Sequence, residues 1–381
     1  MAGAILHCGI VKAMAAYLKQ NVERLTELWW RYERHLIVLG LATGFVFDLI
    51  IAERPDSIFN NIWLLSYLFL AAGLIVVLNI RETRRASEEH QAHPLVLLFG
   101  LQVCFGALAS NLLVLYLHSG TWAGSAIFLG LMVALVVGNE FMRGRYGMLR
   151  LNVSVLYFLL LSYCVLAVPT FFLHSIGPMP FLISGAVSLA IIALFLFLLD
   201  LAVFRGDKRA KLRQVFGIVS AIFLFYASLY FLNVIPPVPL ALKDIGVYHS
   251  VLRHSSGDYV VMFEEPRWYD FWNPTSDTFT LTNARTAFCF SSVFAPTQLN
   301  APIVHRWEEY NEATGEWQTR SRVEFSISGG RDEGYRGFSQ KSSLREGRWR
   351  CSVETQAGAL VGRFGFTVVS GDTPELSQTA L

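Results

Sequence analysis

The sequence predicts a chain in two parts: an α-helical membrane bundle of seven spans, then an all-β, immunoglobulin-like sandwich. Three observations predict it. Between Leu36 and Leu240 the chain reads as seven long apolar runs. Lys and Arg fall almost entirely on alternate sides of those runs. After Pro236-Pro237-Val238-Pro239 the apolar period changes from helical to strand-like. Composition divides at the same place. Only 16% of the 381 residues are charged, against about 25% in soluble domains, and mean hydropathy is +0.44. Residues 241–381 nevertheless hold 17 of the 29 acidic residues. That second part has the composition of a water-facing domain and, at about 140 residues, can bury its own core. A net charge of +2 without a basic, aromatic-laced stripe gives no reason to expect nucleic acid as a partner.

Residues 1–34 are expected to form an amphipathic cytoplasmic or interfacial helix. Val11, Met14, Leu18, Val22, Leu25 and Trp29 recur at helical spacing, while Lys12, Lys19, Glu23, Arg24, Glu27 and Arg31 lie elsewhere around the wheel. Trp29-Trp30 suits the headgroup region. The helix reads equally as an interfacial anchor or as a lid on the cytoplasmic face of its own bundle. No cleavable signal peptide is expected, because residues 1–11 lack a charged leader and a cleavage site.

The membrane domain is expected over 35–240. A crossing helix needs about 20 mostly apolar residues, and runs at 35–53, 60–80, 94–117, 121–141, 151–173, 179–204 and 213–236 meet that need. Sixteen Lys and Arg fall before the first run and after the second, fourth and sixth, from Lys12 to Arg34, Arg81 to Arg85, Arg143 to Arg150 and Arg205 to Arg213. The opposite loops hold only Arg54. By the positive-inside rule the N-terminus lies in the cytoplasm and everything after Ile235 outside. The compact chain reads as bacterial, which makes the membrane the inner one and the outside the periplasm.

Polar residues within spans are functional suspects. Asp48 sits near an outer end, and Glu140 and Asp200 near inner ends beside Arg143 and Arg205, where interfacial pairing accounts for them. Gln102, Asn111, Asn152 and Asn233 suit inter-helix hydrogen bonds. No span carries the central charged cluster of an ion pathway. His90 and His93 sit in a polar loop beside Glu88 and Glu89, which reads as solvated rather than metal-binding.

The exported domain is expected over 241–370, with 371–381 a mobile tail. Strands are expected at 258–263, 278–281, 286–294, 302–310, 317–328, 337–341, 348–355 and 360–369, separated by Gly-, Asn- and Pro-bearing turns. Eight short strands at this spacing argue for a sandwich. Trp349, Cys351 and Val353 alternate with Arg348, Arg350, Ser352 and Glu354, which gives that strand one buried and one wet face. Cys289 and Cys351 are the only two cysteines of this part. An oxidising compartment permits a bridge between them, closing a loop of about 60 residues for roughly 4 kcal/mol. The alternative, two free core thiols on strands that do not face each other, stays open. Cys8, Cys104 and Cys164 read as small buried residues.

Candidate binding residues are aromatic. Trp268, Tyr269, Phe271 and Trp272 cluster beside Pro266 and Arg267 and suit a sugar ring or a partner surface, or packing of the domain itself. His305 and Trp307 share a strand face with Ile303, as core or as a site. His305 with Ser291 or Ser339 invites a triad reading, but neither serine sits in a nucleophile elbow.

The run Cys289-Phe290-Ser291-Ser292-Val293-Phe294-Ala295-Pro296 is followed by Ile303-Val304-His305-Arg306-Trp307 and Gly337-Phe338-Ser339-Gln340-Lys341. Gly347-Arg348-Trp349-Arg350-Cys351-Ser352-Val353-Glu354-Thr355, Gly358, Leu360-Val361-Gly362-Arg363 and Phe366-Thr367-Val368 complete the succession. It resembles the bacterial family of domain of unknown function 2914, whose members often carry the domain at the C-terminus of a multi-span membrane protein. The spans and the segment Pro236 to His249 are similar to the N-terminal half of such proteins. Phe338 stands where the family leads one to expect Trp. The resemblance implies no activity.

The residues together suggest a non-enzymatic inner-membrane protein presenting a periplasmic binding module to a protein or glycan, with no cofactor expected and the lipid bilayer as its other partner. Two alternatives stand beside it. One is an enzyme or transporter using Asp48, Asn60, Asn61 and His174 at the outer face of the spans. The other is an accessory subunit of a larger membrane complex.

Overall fold

The computed structural model describes residues 57–85, 95–118, 149–204 and 209–381, together with Thr43 and Gly130; within the last range 236, 238, 255–257, 267–274, 282–284, 297–298, 329–333 and 372–374 are excepted. Five long helices come first: α1 (Ile58–Arg85), α2 (Leu95–His118), α3 (Leu149–Val168), α4 (Pro178–Leu199) and α5 (Arg209–Phe231). All five are long and apolar enough to cross a membrane by length and composition. They match the second, third, fifth, sixth and seventh expected runs. The runs at 35–53 and 121–141 and the amphipathic segment 1–34 lie outside the described residues. Five such helices, not seven, therefore stand among the described residues.

α3 is the centre of the bundle, buried along nearly its whole length. α1, α4 and α5 each leave large apolar side chains exposed along one flank, among them Phe69, Leu194, Phe197 and Leu224. α3 ends in a π-turn, Pro169–Leu173. Pro169 has no N–H to continue the helical ladder, and the chain widens there instead. Polar side chains inside the bundle bond backbone carbonyls one turn back, as Asn79, Thr170 and Ser184 do, or one another. Asn111 donates to Asn60 at 2.7 Å and Asn60 returns the bond at 3.3 Å. The Tyr116 hydroxyl donates to the Ser162 carbonyl at 3.0 Å, which leaves it to accept from the Tyr226 hydroxyl at 2.8 Å. At Gly185 a Cβ would fall on the Phe223 ring, so α4 and α5 meet closely at a residue without a side chain.

Eleven strands follow: β1 (Ala241–Tyr248), β2 (Ser250–Arg253), β3 (Tyr259–Phe263), β4 (Thr278–Leu281), β5 (Ala287–Phe294) and β6 (Asn300–Asn311). The rest are β7 (Glu316–Ser328), β8 (Tyr335–Lys341), β9 (Gly347–Thr355), β10 (Leu360–Ser370) and β11 (Ser377–Ala380). They build a five-stranded sheet in the order β4-β10-β9-β6-β7 and two three-stranded sheets, β1-β5-β8 and β11-β3-β2. Pairing is antiparallel except between β4 and β10.

The sheets expected of a sandwich are present, and a third layer joins them. One face of the β1-β5-β8 sheet, with Val247 and Cys289, packs on Trp307, Trp349, Cys351 and Phe366 of the five-stranded sheet. Its other face, with Tyr248 and Phe290, packs on Val251, Tyr259 and Val261 of the β11-β3-β2 sheet. A middle sheet is covered on both sides, which is why β5 is buried at nearly every position, Ser291 and Ser292 included, instead of alternating. β1 and β2 were not legible in the periodicity. β1 carries Lys243, Asp244 and Gly246, and its register shifts between Leu242 and Asp244. The expected mobile tail is corrected too: β11 pairs with β3 from Ser377 to Ala380, and Leu381 exchanges both backbone hydrogen bonds with Tyr259.

The two parts touch. Ile176, in the link between α3 and α4, packs against an apolar cluster that includes Leu240, Val293 and Ala301 of the sheet domain.

Candidate functional site

Cys289 of β5 and Cys351 of β9 are joined as a disulfide between the two facing sheets. β6 lies beside β9 and sets Trp307 opposite Cys351 and His305 opposite Val353. His305 and Trp307 are both 0% exposed. The His305 ring takes Ser291 at Nε2 (2.8 Å) and Ser339 at Nδ1 (2.9 Å), and Trp307 Nε1 donates to the same Ser339 oxygen at 3.0 Å. Burial pushes the imidazole down to about 3, so it is neutral. A neutral ring donates through one nitrogen and accepts through the other, and the two serines satisfy both.

This corrects the binding role weighed for His305 and Trp307 and leaves the triad reading, already set aside, without support. His305 and Trp307 present no surface to a ligand; they are core. The histidine and both serines do converge, yet each ring nitrogen is taken by a hydroxyl and none by a carboxylate, and the group is sealed from any substrate. Cys289, His305 and Cys351 also bring ligand-type atoms within 4.8 Å of one another. The two sulfurs are bonded to each other, and a disulfide sulfur lacks the thiolate charge that holds a metal. Trp268, Tyr269, Phe271 and Trp272 lie outside the described residues, as does Asp48. Asn60 spends its amide on Asn111 inside the bundle, and His174 closes the π-turn with φ 49°.

The ordered polar surface is elsewhere, on the outer face of the five-stranded sheet. Side chains there alternate with the core residues of β6 and β9. Arg350 grips Glu308 with two hydrogen bonds, 2.6 and 3.0 Å. Arg306 binds Glu354 at 2.6 Å and reaches Glu308 at 3.6 Å. Arg363 of β10 donates to Ser352 at 3.0 Å. Glu308, Ser352 and Glu354 are buried under these arginines, so the face expected to be wet is covered by its own cations.

Burial alone would raise the Glu308 carboxyl, but the Arg350 hydrogen bonds and the charges of Arg306, Arg350 and Arg363 hold it below the usual carboxylate range. Burial raises Glu354, and neighbouring Glu308 adds to this against the pull of Arg306. Burial and the repulsion of Arg350 and Arg306 lower the Arg363 guanidinium.

Toward the β6–β7 turn the lattice becomes aromatic. Tyr310 and Trp317 meet edge to face at 5.1 Å. Arg348 stacks on Tyr310 at 3.7 Å and Arg350 on Trp317 at 4.2 Å. Arg348 also holds Glu312 with two hydrogen bonds. The sequence signal for this surface was present: Arg306 and Glu308 on one strand, and Arg348, Arg350, Ser352 and Glu354 on another, repeat at period two. What periodicity could not supply was that β6 and β9 are neighbours. Arg306, Arg350 and Arg348 hold Glu354, Glu308 and Glu312, while Glu324 is met by Gln356.

A second polar pin ties the sheets together. His249 Nε2 lies 2.8 Å from Glu264, which also accepts the backbone N–H and the hydroxyl of Thr280. Burial would raise Glu264, but the bonds from His249 and Thr280 bring it below its ordinary range.

No curated protein matches the chain. Among solved structures, the Pseudomonas fluorescens alkylpurine DNA glycosylase AlkC bound to DNA containing an abasic site analog aligns with 83% of this chain and 99% of its own at 12% identity, with a TM-score of 0.19. A likeness at that level carries over neither fold nor activity. The family comparison is local and falls on the surface just described: residues 300–368, from the start of β6 into β10, match the family described as Protein of unknown function (DUF2914), and a DUF2914 domain closes this chain.

Proposed function

We propose that this protein is a non-enzymatic membrane anchor presenting a periplasmic binding module, and that the module engages a protein partner through the outer face of the β4-β10-β9-β6-β7 sheet. In this reading the bundle has seven spans in a bacterial inner membrane. The N-terminus lies in the cytoplasm, and the sheet domain is an immunoglobulin-like sandwich thickened by its third sheet. One observation carries it: Arg306, Arg350, Tyr310 and Trp317 are fixed in an ion-paired, stacked lattice on a rigid sheet. Arg, Trp and Tyr are the residues that dominate protein interfaces, and side chains already held in place lose little freedom on binding. Glycans are the competing ligand for such a face, and the test separates them.

Full-length protein carrying a photocrosslinking amino acid at Gln318, next to Trp317, is irradiated in intact membranes. A discrete protein adduct is expected, and Arg350→Glu should reduce it by about tenfold while the sheet domain stays protease-resistant. Adducts that vanish on glycosidase treatment would replace the protein partner with a glycan. Equal adduct yields for the wild type and Arg350→Glu would end the reading.

A further inference from the structure

Between the outer ends of α4 and α5 and the near edge of the sheet domain lies a partly enclosed cleft of about 250 Å³. Its walls come from three places. Gly177 and Pro178 open α4, Phe231 ends α5 and Ile235 follows it, and Ala301, Pro302 and the β9–β10 turn at 355–359 belong to the sheet domain. We propose that this cleft holds an acyl chain of a membrane lipid whose headgroup carries no net charge. The proposal rests on the reading that the bundle spans a bilayer.

The chemistry of the walls sets the class of ligand. Among the described residues, no Lys, Arg, Asp or Glu lines the cleft. Polar groups are few and neutral: Tyr230, Asn233, Thr355 and Gln356. An anionic headgroup needs a cation or a set of free donors to replace its hydration, and this lining offers no cation. An apolar chain needs only volume. An apolar cavity of roughly 150 Å³ stays dry and takes up benzene, so this larger one has room for the end of an acyl chain. Pockets between two packed bodies, mostly apolar with a few polar groups, are the usual form of a small-molecule site.

The position supplies the route. Leu232 is 71% exposed and Met179 68% exposed. Phe231, a wall of the cleft, is itself exposed. These three continue the flank of α4 and α5 on which Leu194, Phe197, Leu224 and Phe225 also stand out. In a bilayer that flank faces acyl chains, and the cleft is its upper end. A chain can pass from one to the other without crossing water. The mouth is held by the reversal after α5. Asn233 adopts φ 55°, a left-handed conformation that Asn tolerates better than most residues. There its N–H bonds the Tyr230 carbonyl while the Val234 N–H reaches back to Leu229. The reversal itself, through Asn233 and Ile235, forms part of the cleft wall.

The test uses full-length protein reconstituted in phosphatidylcholine vesicles containing a phosphatidylcholine with a terminal diazirine on one acyl chain. After irradiation, adducts are mapped by mass spectrometry. Adducts are expected on the segment 355–359 and at the start of β6, as well as along the exposed flank of α4. Ala357→Phe and Ala359→Phe, two separate variants that fill the cleft from an exposed turn, should each cut the labelling of β6 by about tenfold and leave the α4 flank unchanged. Retained protease resistance of the sheet domain shows that either variant folds. Labelling of the flank but not of the sheet domain would overturn this proposal and leave the membrane reading standing. An absence of adducts anywhere would overturn both.

Discussion

At the scale of single residues, His305 controls the acid response of the sheet domain. Its folded imidazole titrates near about 3 because it is buried, whereas in the unfolded chain it titrates near an ordinary histidine value of about 6.5. Between those limits the unfolded state binds the extra proton. Stability is therefore full above about pH 6.5 and is lost as the pH falls toward 3. The denaturation midpoint of the domain should drop steeply between pH 7 and pH 4.5. His305→Gln, which can still hydrogen-bond a serine but does not titrate, should flatten that drop while lowering stability at pH 7. The outer face responds through groups of opposite sign. The lowered Glu308 stabilises above its unfolded value and its contribution is lost as acid protonates it. The raised Glu354 opposes folding at neutral pH and is relieved as the pH falls through its higher value. Glu308→Ala leaves Arg350 and part of Arg306 without an anion under the sheet surface, and should cost about 3–5 kcal/mol by denaturant titration. Glu354→Gln should cost far less. The sequence marked His305, Trp307 and both cysteines as special, and they are, but as core. Nothing in a single chain separates a buried from an exposed residue when both alternate at period two.

At the scale of elements, the disulfide fixes how β5 meets β9. The two strands belong to different sheets and are 62 residues apart, so the bridge closes a long loop in the unfolded chain. Cys289→Ser or Cys351→Ser should destabilise the domain by roughly 4 kcal/mol in the chain-entropy picture. The measurement is protease resistance of the full chain with and without reductant, with non-reducing peptide mapping to show the link. Two alkylatable thiols in the unfolded, unreduced wild type would sink it. The strands legible in advance, β3 to β10, are those with β-branched and aromatic residues between clear turns. β1, β2 and β11 were illegible because tertiary partners make them strands. β2 is four residues long, β11 is Ser-Gln-Thr-Ala, and both exist as strands through β3. The middle layer was illegible for the same reason: β5, with Ser291 and Ser292, does not say from its sequence that both its faces are covered.

At the scale of the whole molecule, the proposed orientation does not depend on counting spans. Ile176, just before α4, packs on the sheet domain, and the chain leaves α5 directly into β1. The start of α4 and the end of α5 thus lie at the end of the bundle that carries the sheets. A helix of 22 residues is about 33 Å long, so the end of α4 and the start of α5, which carries Arg213, belong to the other end. Arg150 at the start of α3 donates to Gln214 at the start of α5, which places a further arginine there. Basic residues gather at the end away from the sheets, and the proposed orientation puts that end in the cytoplasm by the positive-inside rule. Alkaline phosphatase fused after Leu381 should therefore be active and green fluorescent protein at the same point dark, with the reverse for fusions after Gly206. The disulfide, which needs an oxidising compartment, and the partner-binding face would then both lie outside. A fluorescent fusion after Leu381 would move the sheets into a reducing cytosol and remove the chemical reason for the Cys289–Cys351 bridge, so one measurement tests orientation and sulfur chemistry together.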